Sequence, residues 1–286
     1  MDLRHLFDLE PHGPDTWVGV GPQYPWGGLY GGQIVAQALH AAATSVDDGL
    51  APHSLRAYFI RRGDHTEPIR FEVDRIRNGR SFATRRVVAR QAIGAILNLE
   101  ASFQRQEDAD DVTTVPAPIG LPSPEDLPGS SRTPAFERRW VPERFLVTPE
   151  AGARTGAGRV AAWMRVNGGL PDDQLIHRSW LAYLSDDLPT DSVRAALGLG
   201  RPEGEDGDDG AGDDGGGDGS QMVASLDHTI WFHRPFRSDE WHLHDTTCHG
   251  YTGGRGLAIG HVFALDGTHV ATVAQEVLLR RGRRVP

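Results

Sequence analysis

Two stretches of this 286-residue chain lie over one another without a gap. AYFIRRG, Ala57 to Gly63, falls on IWFHRPF, Ile230 to Phe236, at an offset of 173 residues. The same offset sets SFQR, Ser102 to Arg105, over QEVL, Gln275 to Leu278. An internal repeat restricts the fold strongly, because each copy is one structural unit and the copies pair to bury faces that neither buries alone.

The surroundings of the two stretches agree. In the first half, GGQIVAQALHAAATSV (Gly31 to Val46) has helical spacing, with Ile34, Val35, Ala38, Leu39 and Ala42 on one face. That face is small and aliphatic, suited to close packing on a sheet. HSLRAYFI, IRFEVDRIR, SFATRRVVARQ and AILNLEASFQR follow, with apolar residues at steps near two. In the second half a strand, VAAWMRVNG, precedes a helix from about Asp173 whose buried side is Leu175, Trp180, Leu181 and Leu184. Strand patterns come next in MVASLDHTIWFH, WHLHDTTCHG, RGLAIGHVFAL and HVATVAQEVLLR. Each half is predicted to be a long helix on a mostly antiparallel sheet, an α+β architecture.

Between the halves, Glu107 to Pro134 is too rich in proline for a helix or a central strand. The expected division is 1–106, a linker 107–137, and 138–286. Within the last unit, residues 203–219 hold eight acids and eight glycines. Such a run buries nothing and repels itself, so a disordered solvent loop is predicted. Its irregular spacing speaks against a calcium loop. The run also accounts for most of the net charge of −10, leaving a nearly neutral body without the basic excess of a nucleic-acid binder.

Cys248 is the single cysteine, which excludes an internal disulfide and a multi-cysteine metal site. It reads as a small strand-filling residue. No apolar run reaches membrane-spanning length, and MDLRHLFDLE carries acids where a secretory signal needs an apolar core. A cytoplasmic location without membrane partners is the expectation. His242 and His244 share one strand face, half a metal site at most; an exposed strand face is the expectation, and no metal is predicted. Asp227, His228, His233 and Arg234 make the second repeat stretch, SLDHTIWFHRPF, more polar than the first.

Taken in order, LFDLE, YGGQIVAQAL, HSLRAYFIRRGD, NGRSFATRRV and ASFQ in the first half, and WMRVNGGLPDD, AYLSD, SLDHTIWFHRPF and DGTHVATVAQEVLLR in the second, resemble the bacterial acyl-CoA thioesterase II (TesB-like) family. The matching segments run from Leu6 to Arg280, leaving out the acidic run. The resemblance implies a double hotdog, acyl-CoA as substrate, hydrolysis to free fatty acid and CoA, and assembly into a homo-oligomer. It also implies three catalytic positions. The acid of AYLSD corresponds to Asp186, the hydroxyl residue before the Asp-His pair to Ser225, and the amide of VAQE to Gln275. The family often has threonine where Ser225 stands. Asp187 follows Asp186 directly, which leaves a choice of register.

The chemistry of these side chains suits the reaction. Hydrolysis of a thioester needs a water placed against the carbonyl carbon and a carboxylate to take its proton, with no cofactor, metal or covalent nucleophile. A hydroxyl and an amide orient the water. A carboxylate late in a helix opposes the helix dipole, at a cost of about 0.3–1 kcal/mol. Gly31 and Gly32 open the first helix, whose free amides suit the thioester oxygen. Asp227, His228, His233 and Arg234 are expected to hold the strand beside the site. Arg61, Arg62, Arg80, Arg85 and Arg86 are candidates to meet the CoA phosphates. Two other functions compete. An enoyl-CoA hydratase would use Asp227 and His228, whose side chains point opposite ways if the segment is a strand. A non-catalytic acyl-CoA-binding protein would retain the fold without turnover.

Overall fold

The computed structural model describes residues 5–24, 27–130, 135–146, 158–199 and 222–280. The N-terminal copy opens with the short strands β1 (Glu10–Pro11) and β2 (Thr16–Gly19) and helix α1 (Gly31–Ala43). Strands β3 (Leu50–Phe59), β4 (Ile69–Asn78), β5 (Phe82–Gln91) and β6 (Gly94–Arg105) complete it. The C-terminal copy has β7 (Phe136–Trp140), β8 (Arg159–Val166), α2 (Gln174–Leu184) and α3 (Pro189–Ala196). It continues with β9 (Met222–Ser225), β10 (Asp227–Phe232), β11 (His242–Thr252), β12 (Arg255–Ala264) and β13 (His269–Arg280). The acidic run 203–219 lies outside the described residues.

The strands form one sheet in the order β1-β2-β4-β5-β6-β3-β10-β13-β12-β11-β8-β7, with β9 also on β13. The copies join where β3 meets β10, antiparallel. Arg56 pairs with Thr229, its own counterpart 173 positions on, and Ser54 and Tyr58 pair with Trp231 and Asp227 on either side. This is the register of a local two-fold axis, so the joint is the repeat meeting itself. The offset changes in the last strand. Arg56 pairs with Glu100 in the first copy, but Thr229 pairs with Ala274 in the second, 174 positions on. Gln275 therefore occupies the place of Ala101, not of Ser102 as the unbroken offset predicts. The β12–β13 connection, Leu265 to Thr268, is longer than Ala92 to Ile93 between β5 and β6.

Period-two alternation sets which side chains enter the core. Ile69, Phe71 and Val73 of β4, and Leu97, Leu99, Ala101 and Phe103 of β6, are buried. Helix α1 lies between its own sheet and α2, which is why ten of its thirteen residues are buried. The helices approach closely at Gly32, where an added Cβ would stand 2.2 Å from the Tyr183 carbonyl oxygen. Helix α2 starts where predicted: Asp173 accepts a hydrogen bond from Leu175 N–H at 2.8 Å, a side-chain N-cap. The arrangement is the double hotdog that the resemblance implies.

One feature extends the sequence reading, and one expectation is corrected. Residues 107–130 do more than link the copies. Val115, Ala117 and Leu121 pack on Trp163, Trp241, Leu243 and Phe263 on the outer face of the second sheet. Trp163 Nε1 donates to the Pro122 carbonyl and Trp241 Nε1 to Glu125. The segment thus straps that face, and β7 begins at Phe136, inside the range assigned to the linker. His242 and His244 are buried, not exposed, because they point inward while Leu243 between them meets the strap. Their rings lie 5.1 Å apart, and burial pushes His242 down to about 4.

Candidate active site

A break in one strand sets up the site. Strand β9 ends at Ser225 and β10 starts at Asp227. At the break, Leu226 N–H donates to the Glu276 carbonyl and its own carbonyl accepts from Phe59 N–H. Ser225 thus stays on β13, opposite Val277, while β10 joins the copies. Gln275 points inward from β13 and His228 from β10; both are fully buried. Asp186 follows the C-cap of α2, Ser185, and is 8% exposed.

The three residues predicted from the family positions meet. Ser225 Oγ donates to Asp186 Oδ1 at 3.0 Å, and Gln275 Nε2 donates to Ser225 Oγ at 2.7 Å. Both predicted glycines lie against the same carboxylate. The Gly32 N–H donates to it, and a Cβ on Gly31 would stand 2.6 Å from Oδ2. The dipole cost foreseen for an acid at the end of a helix is therefore offset. Asp186 leaves the C-terminus of α2 and sits at the N-terminus of α1, where negative charge is favoured. Burial pushes its carboxyl above the usual aspartate value, and the donors Gln275, Ser225 and Gly32 N–H pull it back. A carboxylate held this way is a stronger base than an exposed one.

His228 joins the network on the other side. Its Nδ1 bonds Gln275 Oε1 through a short hydrogen bond, and its Nε2 lies 2.8 Å from Ser185 Oγ. Burial lowers its pKa, which leaves the ring neutral at neutral pH. Of the four ionisable residues in the polar repeat stretch, His228 alone reaches the site. Asp227 faces the other side of the sheet, accepting from Glu276 N–H at 2.7 Å and lying 3.4 Å from Arg56. His233 bonds Thr272, and Arg234 pairs with Asp111. Strand alternation turns Asp227 away from His228, and His233 and Arg234 lie beyond the end of β10. Ser185 was not singled out from the sequence, although it sits inside AYLSD; a serine closing a helix is ordinarily read as a cap.

The paired acids have different partners. Asp187 turns away from Ser225 and forms a 2.6 Å ion pair with Arg138, both side chains at most 2% exposed. Among the arginines considered for CoA, Arg85 is withdrawn from the surface. It is 2% exposed and bonds Ser45, Asn78 and the Arg77 carbonyl, holding the chain beyond α1. Arg86 pairs with Asp74, and Arg61 bonds the Ala95 carbonyl. Burial raises the Cys248 thiol, and the residue packs against the cluster of Val193, Val277 and Leu279. Among the described residues no three histidine, cysteine or acidic side chains are grouped to hold a metal, and no helix is long and apolar enough to cross a membrane.

Comparison with known proteins gives the family. Residues 21–104 match the model of the acyl-CoA thioesterase N-terminal domain, and residues 109–279 that of the acyl-CoA thioesterase C-terminal domain. The chain is 33% identical to acyl-CoA thioesterase 2 of Haemophilus influenzae over 296 residues, covering 98% of this chain and 97% of the relative. It is 32% identical to human acyl-coenzyme A thioesterase 8 over 305 residues, 98% of this chain and 90% of the relative. Its fold superposes on the crystal structure of acyl-CoA thioesterase II TesB2 from Mycobacterium marinum with a TM-score of 0.81 at 35% identity, covering 99% and 100% of the two chains. The two domain models in order, and relatives of this identity along almost the whole length, show that the chain belongs to the double-hotdog acyl-CoA thioesterases, enzymes that hydrolyse CoA thioesters.

Proposed function

We propose that Asp186 is the general base of the hydrolysis, with Ser225 and Gln275 orienting the water it activates. The carboxylate takes a proton from water as the oxygen attacks the thioester carbonyl carbon. The tetrahedral oxyanion then collapses, the C–S bond breaks, and the CoA thiolate leaves to be protonated. A carboxylic acid and CoA result. The positive end of α1 stands beside the developing negative charge. Gly31 keeps open the space beside Oδ2 that a Cβ would fill. The observation that carries this reading is the buried carboxylate, raised by desolvation yet hydrogen-bonded by a hydroxyl that an amide orients.

The test is CoA release from short, medium and long acyl-CoAs, with Asp186→Asn beside the wild type. The substitution should lower kcat by about 10²–10⁴, the contribution of a general base. Wild-type turnover in the variant would refute the assignment. The hydratase alternative is disfavoured because Asp227 and His228 face opposite sides of the sheet. Assembly into a homo-oligomer is supported by Tyr58, Trp231 and Leu257, which stay exposed on the described strands. Light scattering at several concentrations checks it; a monomer throughout would refute it.

A further inference from the structure

Four hydrogen bonds run in one line through the site: Ser185 to His228, His228 to Gln275, Gln275 to Ser225, and Ser225 to Asp186. Their directions follow from one fact. An ionised carboxylate accepts and never donates. Ser225 must therefore give its single proton to Asp186. Its oxygen then accepts from the Gln275 NH2 group, which turns the amide oxygen to His228. That oxygen meets Nδ1, so the ring proton sits on Nδ1, and Nε2 accepts from the Ser185 hydroxyl, for which it is a nearer acceptor, at 2.8 Å, than the Ala182 carbonyl at 3.2 Å. The order is assigned by the network as a whole.

The repeat supplies an independent argument. The strand register puts Leu55 where His228 stands and Ala101 where Gln275 stands. Leu55 and Ala101 are both buried. The fold fills this place with an apolar pair in one copy, so it does not need the polar pair. Histidine and glutamine enter together, beside the carboxylate.

We propose that His228 is a positioning residue, whose Nδ1–H holds the Gln275 amide with its NH2 toward Ser225 and so commits the Ser225 proton to Asp186. This rests on the reading of Asp186 as the base. Without that donor the amide is free to turn, and its oxygen would capture the Ser225 proton. Asp186 would lose a hydrogen bond that favours its ionised form and would ionise at higher pH. The charged groups that act on His228 are Asp186, beyond α2, and, from its own strand but on the opposite face of the sheet, Asp227, which Arg56 accompanies. Neutral Gln275 faces it from β13 and neutral Ser185 from the end of α2.

The test compares His228→Asn, which returns an amide nitrogen to the position of Nδ1, with His228→Gln, which returns one to that of Nε2, and with His228→Leu. Asp186→Asn is run in parallel. The substrate is the acyl-CoA that the wild type turns over fastest. The Gln and Leu variants should lose about 10–100-fold in kcat with KM nearly unchanged, as for other supporting partners of an active group. The acid limb of their kcat–pH profile should move to higher pH. The Asn variant should stay close to wild type in both. Gln and Leu variants with wild-type kcat and acid limb would overturn the proposal, as would an Asn variant as damaged as the Gln variant. If Asp186→Asn is inactive in that event, the base assignment stands and the positioning role alone falls. An active Asp186→Asn would remove the base and this proposal with it. Imidazole ¹⁵N shifts of the wild type give a reading independent of how the variants fold: a proton on Nδ1 of His228 is expected, and one on Nε2 would overturn the proposal.

Discussion

Asp186 and Asp187 are adjacent aspartates, both buried, yet their surroundings differ. Asp186 receives Ser225 and a Gly32 N–H; Asp187 receives the Arg138 guanidinium. Removing one partner of a buried ion pair leaves the other charge uncompensated. Asp187→Ala should therefore cost about 3–5 kcal/mol in stability, read by urea unfolding. Asp186→Asn should reduce turnover instead. The neighbouring glycines separate in the same manner. Gly31→Ala pushes a methyl group at Asp186 Oδ2, so kcat should fall while the fold holds. Gly32→Ala drives one into the Tyr183 carbonyl, a backbone atom that cannot yield cheaply. Its cost should appear in stability, at about 1–3 kcal/mol for overpacking. The sequence offered these residues as candidates, but LSDD and GGQ do not reveal which acid or glycine faces the site.

At the scale of elements the sequence was most legible. Alternation marked the long strands and the spacing of small aliphatic residues marked α1, because both periods follow from backbone geometry alone. The start of α2 near Asp173 was visible as well; because that side chain caps the helix, Asp173→Ala should lower stability by about 1 kcal/mol, checked by thermal unfolding. The repeat predicted that the two copies pair, and Arg56 opposite Thr229 keeps its offset. The one-residue change before β13 was not legible from the matching of SFQR with QEVL. A slip of one residue reverses the face on which a strand side chain lies. Pairing places Gln275 with inward-facing Ala101, and thereby beside His228. The buried histidines of β11 escaped for a related reason: WHLHD alternates, but nothing in it says that α3 covers one face and a proline-rich strap the other.

For the molecule as a whole, these histidines predict how stability depends on pH. His242 is held near 4 by burial, and burial lowers His244 further below its ordinary value of 6.5. In the unfolded chain both take up protons as pH falls through about 6.5. In the native state His242 does so only near 4. The unfolded state binds more protons in between, so stability should decline from about pH 6.5 towards 4. Urea midpoints at pH 7.5, 5.5 and 4.5 test this, and His242→Leu should flatten the slope. Activity has its own limit. As the proposed base, Asp186 must be ionised to act, and burial holds its carboxyl above the ordinary aspartate value, so the acid limb of kcat should fall at a pH above that of an ordinary aspartate.

The sequence by itself determined the elements, the duplication and, through its motifs, the family, because local periodicity and residue order survive without coordinates. Tertiary structure alone decided how the residues of the candidate site meet. Gly32, Asp186, Ser225, His228 and Gln275 come from α1, the end of α2 and three strands, separated by up to 243 residues along the chain. Packing of the two copies brings them within hydrogen-bonding distance. Burial then fixes their charge states and the direction of each proton, since a polar group withdrawn from water must take its partners from the residues that the fold has placed beside it.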